Sequence, residues 1–375
     1  DGSYVQHSFV YQRLALRTCL LAALAARRLE DTKLEGRAED ALSFGLDFLR
    51  ELMIAPEGGR LPNYGANDGA NALAISEADY LDFRPIIQAG VALLDEQQAF
   101  GPGPWDEELL WLGIRKEGLA LVEEREAEYF ALSGGYARLS AGGFSIFMRV
   151  PNYTDGRPGQ ADALHLDVWY GDLPVAFDSG TYSYNDPDGW YKHFKSTAAH
   201  NTIVIEDRDQ MPLASRFLYT DWTQSELLIG EEPDEDNMSV VGSSVFVRGI
   251  GVGGVSLAYQ QLGLGVTHRR VAGVAEDGVT VADTLEGLAG RRARLVWHLD
   301  GNWERNGEVF VRAEDGVQFH IHSEIPLDIR VRTNECPYTC TSEAYGETRP
   351  ITLVEAHFVT SANTCVATHF FVSQD

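Results

Sequence analysis

The chain has few basic residues for its length, and this shortage excludes one class of partner. Its 375 residues include 30 Lys and Arg against 56 Asp and Glu, a formal net charge of −26. Nucleic acid is not expected as a partner, because phosphate binding requires a basic surface. A uniformly acidic surface also repels polyanions. An acidic substrate would therefore need Arg and Lys residues gathered locally in its cleft, or a low charge of its own.

Long apolar runs and cysteines are also scarce. No apolar run approaches the ~20 residues of a membrane-spanning helix, so no membrane span is expected. The polar residues 1–4 show no signal peptide. The four cysteines lack the two close pairs of a zinc ribbon. Cys336 and Cys340 could pair across a turn, so at most one disulfide is expected.

Hydrophobic periodicity divides the chain into a helical and a β part. Apolar residues recur at helical spacing over 9–30 and 38–54, and 81–96 and 105–113 indicate further helices. After Gly134-Gly135, apolar and polar residues alternate as in antiparallel strands. Predicted strands include 144–150, 164–170, 201–205, 239–248 and 357–371. The predicted fold class is α+β, with helices of an α/α toroid or bundle over 1–125 and an antiparallel β-sandwich over 126–375.

Polar residues at predicted strand ends and turns are concentrated between positions 158 and 211. An uncompensated buried carboxylate or imidazole costs several kcal/mol or changes its protonation state. The groups therefore satisfy each other or hold a ligand, for which a metal ion is the natural candidate. They are Gln160, Asp162, His165, Asp178, His200 and Asn201.

The same stretch resembles the heparinase II/III-like family of polysaccharide lyases. The matching motifs, in the family's order, are Gln160-Ala161-Asp162, Asp178-Ser179-Gly180-Thr181 with Tyr184, Thr197 to Thr202, and Asp207-Arg208-Asp209-Gln210-Met211. The resemblance implies the last helices of a longer α/α toroid before the β-sandwich, so we expect that the toroid's N-terminal part is missing from this sequence. It also implies β-elimination on a uronic-acid-containing polysaccharide, such as a glycosaminoglycan, an alginate-like chain or a bacterial exopolysaccharide.

Residues 1–13 resemble the family segment that supplies a catalytic tyrosine, and the matched position is Tyr11. The segment departs from the family at Gln6, His7 and Gln12. In the implied reaction a base takes the C5 proton and an acid protonates the O4 leaving group, and a phenol can do both. A free tyrosine has a pKa of ~10, so phenolate formation needs a cationic neighbour. His7 lies four residues before Tyr11, which would place both on one helix face.

The sequence departs from the family most seriously at Pro158, where a further catalytic histidine is usual. His165, His193 or His200 could substitute, with His200 first, or Tyr11 could act alone. A second interpretation is a protein that binds polysaccharide without cleaving it, as in exopolysaccharide assembly. A third is a glycoside hydrolase, which needs two carboxylates ~5–10 Å apart. Asp68 and Asp162 are the candidates for that pair.

The resemblance also implies a structural divalent ion held by Gln160, Asp178 and His200. This set of two oxygens and one nitrogen tolerates zinc, calcium or manganese with added waters, and a hydrogen-bonded cluster without an ion is the alternative. The expected partner is an anionic polysaccharide, in a periplasmic or secreted location, and the sequence gives no oligomeric state. The expected substrate-binding residues are Arg13, Asn63, Asn67, Arg84 and Tyr184.

Overall fold

The structure is a computed structural model that describes residues 1–116, 118–122, 125–151, 157–223, 225–229, 255–261, 266–287 and 289–373. Helices dominate its N-terminal part, and antiparallel strands form the rest. The α-helices of the described ranges are α1 Phe9–Leu29, α2 Thr32–Leu52, α3 Arg84–Leu94, α4 Glu107–Leu112 and α5 Tyr191–Phe194.

Side-chain caps set where the two long helices begin. The Ser8 hydroxyl caps α1 by accepting the backbone N–H of Tyr11, and Asp31 caps α2 by accepting that of Leu34. The Asp31 cap starts α2 six residues before the predicted position 38. With two residues between them, α1 and α2 form a hairpin that packs its apolar faces together. The other two predicted helices correspond to α3 and α4.

Helix α1 corrects the expectation that the chain lacks a long apolar run. By length and composition it is apolar enough to cross a membrane, and it is the one such helix in the part of the chain that the structure describes. Half of its most apolar window is buried inside the protein. That face packs on α2 and α3, as in the core helix of a globular domain.

Two large antiparallel sheets form the β part. The strands of the described ranges are β1 Gln97–Gln98, β2 Ala120–Leu121, β3 Glu128–Ala131, β4 Tyr136–Ala141, β5 Phe144–Arg149, β6 Leu166–Tyr170, β7 Leu173–Ala176, β8 Ile203–Ile205, β9 Leu213–Ser215, β10 Leu218–Tyr219, β11 Ser225–Ile229, β12 Val255–Gln261, β13 Val266–Ala275, β14 Gly278–Glu286, β15 Arg292–Leu299, β16 Trp303–Asn306, β17 Val309–Arg312, β18 Val317–Ser323, β19 Asp328–Arg332, β20 Cys340–Thr341, β21 Arg349–Pro350, β22 Thr352–Val359 and β23 Asn363–Val372. One large sheet has the strand order β11-β12-β13-β14-β23-β18-β17-β16. The other has the order β19-β22-β15-β7-β6-β5-β4-β3, with β8 paired to β15.

The two sheets pack face to face over one apolar core. Strand β13 alternates strictly between buried and half-buried residues, as a strand with one face on a core must. Both sheets contribute to that core, including Leu166, Val281, Trp297, Phe319 and Phe370. The α+β prediction, helices followed by an antiparallel β-sandwich, is therefore confirmed. The predicted strand 239–248 lies outside the described residues.

An aromatic cluster joins the helical part to the sheet. Phe9 at the start of α1 packs on Tyr136 and Phe147 of β4 and β5, with ring centroids 5.9 and 5.8 Å apart. Phe48 of α2 meets Tyr136 edge to face at 5.3 Å. These contacts fix the first turns of α1, and therefore Tyr11, against the β part. The predicted boundary at 125/126 falls between α4 and β3, and as a domain boundary it stays a prediction.

Candidate active site

Two tyrosines and a carboxylate from three separate segments meet at the start of α1. The Tyr11 hydroxyl donates to Asp68 Oδ2 at 2.7 Å and lies 2.8 Å from the Tyr184 hydroxyl. Since Tyr11 donates its hydrogen to the carboxylate, Tyr184 donates to Tyr11. Asp68 is exposed and both tyrosines are half-buried, so the group can be reached from solvent. The structure thus brings together Tyr11 and Tyr184, which the sequence singled out, with Asp68.

The surroundings of this group keep the phenols protonated. Burial, with the hydrogen bonds to Tyr184 and Asp68, raises the pKa of Tyr11 well above its ordinary value. Burial also raises the pKa of Tyr184, and the charge of Arg157 opposes that rise. Tyr11 therefore rests as a phenol, the form that donates a proton.

The loop that carries Asp68 is held by hydrogen bonds to the β part. The backbone N–H of Asn67 donates to Thr181 Oγ1 at 3.0 Å, and its side-chain amide donates to the Glu343 carbonyl at 3.1 Å. Asn63 donates to the Ser342 carbonyl at 3.1 Å. Both side chains are thus engaged within the protein and position Asp68, and the substrate contacts expected of them stay predictions.

Arg13 and Arg84 have other neighbours than the tyrosine pair. Arg13 is buried with its guanidinium 4.7 Å from the ring centroids of Tyr80 and Phe83, and it lines a cavity of about 160 Å³. Arg84 pairs with Asp82 at 2.8 Å and stacks 3.9 Å over Trp105. Within the described ranges neither arginine contacts Tyr11, and their substrate roles stay predictions.

His7 does not share a helix face with Tyr11, which corrects the reason for pairing them, and the pair itself stays a prediction. Because Ser8 caps α1, His7 lies outside the helix, with a backbone φ of 52°, and the four-residue helical spacing does not apply. Its Nδ1 instead lies 3.2 Å from the Tyr136 hydroxyl. Burial and the nearby Arg149 lower the pKa of His7 to about 3, so the ring is neutral.

The three expected metal ligands meet in one buried cluster. His200 Nε2 lies 3.1 Å from the Gln160 amide nitrogen and 3.5 Å from Asp178 Oδ2. His200 Nδ1 donates to the Ser196 carbonyl at 2.8 Å, which leaves the lone pair on Nε2, facing the other two groups. His200 is 0% exposed, so it cannot contact a polysaccharide in this conformation, and its catalytic role stays a prediction.

The donors of this cluster fit a divalent ion. Asp178 Oδ2 is buried without a hydrogen-bond partner in the described part of the chain. Burial raises the pKa of Asp178 to about 8 and lowers that of His200 to about 4. A cation would relieve the cost of burying the carboxylate. The described residues hold no group of three or more His, Cys, Asp or Glu suited to a metal, so a site here depends on the Gln160 amide.

The other polar residues singled out between positions 158 and 211 have partners within the protein. His165 Nε2 lies 2.7 Å from Asp167 Oδ1, and His165 Nδ1 accepts the backbone N–H of Asn201 at 3.0 Å. Burial alone would lower the pKa of His165, but Asp167 outweighs it and raises that pKa. Asp162 is fully buried and accepts the Tyr64 hydroxyl at 2.6 Å. A buried Asp162 cannot flank a sugar, which removes the hydrolase pair of Asp68 and Asp162.

Sequence reasoning missed a buried ion pair beneath the site. Arg270 of β13 lies directly opposite Asp283 of β14 and donates to both of its oxygens, at 2.7 and 3.0 Å. The same guanidinium donates to the carbonyls of Leu164 at 2.6 Å and Asn201 at 2.5 Å. It therefore ties two loops of the site to the second sheet. The sequence signal that could have found this pair is an Arg on the buried face of a strand whose residues alternate between buried and half-buried.

Gly180 occupies a position where a side chain would disrupt the site. Its φ is +82°, and a Cβ there would overlap the Ser342 carbonyl oxygen. We expect Gly180→Ala to lower the free energy of unfolding by about 3 kcal/mol, from combined strain and overlap. Gly189→Ala, with φ +76° and nothing within 4 Å of its Cβ, is expected to lose about 1 kcal/mol. Urea unfolding of both variants measures the difference, and equal losses would contradict the overlap.

Comparison with known proteins identifies the family. The model of the family "Heparinase II/III-like, C-terminal" matches residues 125–368, more than half of the chain. The chain therefore belongs to the heparinase II/III-like family. No curated protein matches it by sequence.

Solved structures share the fold. A heparinase III gene product superposes with a TM-score of 0.65 at 13% identity, covering 99% of this chain and 52% of that one. The heparan sulfate lyase HepC from Pedobacter heparinus gives a TM-score of 0.67 at 12% identity, covering 100% of this chain and 54% of that one. The chain spans about half the length of these proteins.

Proposed function

We propose that the protein is a polysaccharide lyase that cleaves a uronic-acid-containing chain by β-elimination, with Tyr11 transferring the proton. The convergence of Tyr11, Tyr184 and Asp68 at a solvent-reachable point carries the proposal. Family membership supports it, as does the shared fold with a heparan sulfate lyase. The substrate would be an anionic polysaccharide.

The hydrogen bonds around Tyr11 suggest how one residue serves as base and acid. The phenol passes its proton to Asp68 as it takes the C5 proton of the uronate. The C4–O4 bond then breaks, the C4–C5 double bond forms, and the phenol gives the abstracted proton to O4. Asp68 returns its proton to Tyr11, so protons balance over the cycle. Concerted transfer is needed, because the raised pKa of Tyr11 disfavours a free phenolate.

The test of the proposal is the ultraviolet absorbance of the C4–C5 double bond. Full-length protein is incubated with heparan sulfate, alginate and a uronate-containing bacterial exopolysaccharide. Rising absorbance with at least one polymer is the expected result. Absence of any rise with binding retained would favour the second candidate, a binding protein without catalysis. Pro158, at a position where the family has histidine, is the observation behind that candidate.

Asp68→Asn tests the proton relay through its pH dependence. Removing the carboxylate removes the proton acceptor, so kcat at neutral pH should fall about 10²-fold. Removing the negative charge should also lower the pKa of Tyr11, so residual activity should rise with pH as phenolate forms. The pH profile of kcat measures both effects. Asp188→Asn, an exposed carboxylate in the loop after Tyr184, is the control, and matching profiles for the two variants would exclude the relay.

We also propose a structural divalent ion at Gln160, Asp178 and His200, with zinc, calcium or manganese as candidates. The ion would supply a positive charge that fixes the loops around Asp178. We expect about one ion per chain by elemental analysis, and chelation should lower stability by about 2–3 kcal/mol at saturating metal. His200→Ala should remove both effects, and His322→Gln, outside the cluster, should keep them. If the purified protein contained no metal and chelation left its stability unchanged, the three residues would form a hydrogen-bonded cluster without an ion.

We propose a periplasmic or secreted location, as the substrate class requires. Cys336 and Cys340 form a disulfide with Cα atoms 5.3 Å apart. Disulfides persist mainly in oxidising compartments, which supports the proposal. Fractionation of the native host tests it directly.

A further inference from the structure

Two cationic side chains lie over one exposed aromatic ring, and the guanidinium of a third, Arg216, lies 5.2 Å from the centroid of the Tyr191 ring. Arg216 and Phe217 form the turn between β9 and β10. The Lys195 ammonium lies 5.2 Å from the centroid of the Phe217 ring and the Arg157 guanidinium 5.8 Å from it. Lys195 also donates to the Arg216 carbonyl at 3.0 Å, and Arg157 to the Phe217 carbonyl at 3.4 Å. We call Arg157, Lys195, Arg216 and Phe217 the basic cluster.

The cations of the basic cluster lie close together without an acidic partner in the described part of the chain. Within the described ranges, none of them forms a salt bridge, although the chain has 56 Asp and Glu against 30 Lys and Arg. Lys195 is only 7% exposed, and burial together with Arg157 and Arg216 lowers its pKa to about 8. Like charges held together repel each other, and a bound anion would relieve that repulsion.

The basic cluster lies next to the tyrosine pair. The Phe217 ring packs edge to face on Tyr184 with centroids 5.6 Å apart, and the Tyr184 hydroxyl contacts that of Tyr11. Phe217 is 44% exposed, so solvent reaches part of its ring. A partly exposed aromatic ring with cations beside it suits a sugar ring that carries an acidic group.

We propose that the basic cluster is a subsite that binds one acidic sugar of the polysaccharide, beside the residue that reacts at Tyr11. The proposal rests on the proposed lyase function for its substrate class. Arg157, Lys195 and Arg216 bind the carboxylate or sulfate group, and Phe217 packs against the apolar face of the ring. The local cations also account for how a chain with net charge −26 attracts a polyanion.

Binding measurements in a Tyr11→Phe background test the subsite without consuming the polymer. The probes are heparan sulfate, unsulfated alginate and neutral dextran. We expect the double variant Arg157→Gln/Arg216→Gln to raise Kd about tenfold, because two charge contacts are lost, with the difference shrinking at high salt. A raised Kd for both acidic polymers would show that the site binds carboxylate groups. A raised Kd for heparan sulfate alone would show that it binds sulfate groups. Phe217→Ala should weaken binding several-fold.

Arg305→Gln is the matched control. Arg305 also stacks on a phenylalanine, with its guanidinium 5.5 Å from the Phe310 ring, but it lies on β16 of the other sheet. Its Kd should not change. An unchanged Kd in the double variant would overturn the subsite, as would equal losses in the double variant and in Arg305→Gln. Failure of the Tyr11→Phe protein to bind either acidic polymer would also overturn the subsite. The absorbance assay on wild-type protein tests the lyase proposal separately.

Discussion

Replacing Tyr11 by Phe should lower the rate of product absorbance about 10³-fold, the largest effect on activity that we expect. Phenylalanine keeps the ring but has no hydroxyl to exchange a proton with Asp68, at 2.7 Å, or with the substrate. Because Tyr11 is half-buried at the surface, the fold should persist. Initial rates at saturating polysaccharide measure the effect, and thermal unfolding checks the fold.

Tyr345→Phe is the matched control for this experiment. The Tyr345 ring lies 6.0 Å from that of Tyr184, and its hydroxyl accepts from Ser183 at 3.2 Å. It belongs to the same aromatic surroundings but does not contact Tyr11 in the described structure. We expect its rate to stay within about twofold of wild type. A comparable rate in Tyr11→Phe and wild type would place the base on another residue.

Replacing Arg270 by Met should give the largest loss of stability, about 3–5 kcal/mol. The substitution leaves the Asp283 carboxylate buried without its arginine, and the carbonyls of Leu164 and Asn201 lose their donor. His268, whose Nε2 lies 2.6 Å from Asp283, cannot replace four hydrogen bonds. Urea unfolding at constant pH measures the loss.

Arg269→Gln is the control, since Arg269 is the neighbouring residue on the half-buried face of the same strand. The free energy of unfolding of this variant should stay within about 0.5 kcal/mol of wild type. Replacing Arg270 and Asp283 together by Met and Leu should recover part of the stability, because no unpaired charge remains. A loss below about 1 kcal/mol in Arg270→Met would contradict the role of the ion pair.

Sequence patterns predicted what depends on local periodicity or on a motif. Apolar residues at helical spacing predicted α1 and α2, and the alternation of apolar and polar residues predicted the strands of the sandwich. The start of α2 was missed because the Asp31 cap outweighs the polar residues that follow it. The motifs and their order predicted Tyr11 and Tyr184 as site residues. The two lie far apart in sequence, and their hydroxyls are 2.8 Å apart in the structure.

Contacts between distant loops could not be predicted in this way. Asp68 lies in a turn-rich loop, and nothing local indicates that its carboxylate meets a hydroxyl 57 positions earlier. His7 was assigned to a helix face because the Ser8 cap was not considered. Net charge is an average over the chain, so a value of −26 gave no sign that two cations lie over Phe217.

The central claim is that this protein breaks polysaccharide by elimination, and the mass of its products tests that most directly. Wild-type protein is incubated with a uronate polysaccharide, and the oligosaccharides are analysed by mass spectrometry. Elimination predicts that the new non-reducing ends carry an unsaturated uronate, one water lighter than a hydrolysis product. Products with the mass of hydrolysed chains, or polymer left intact after binding, would contradict the account.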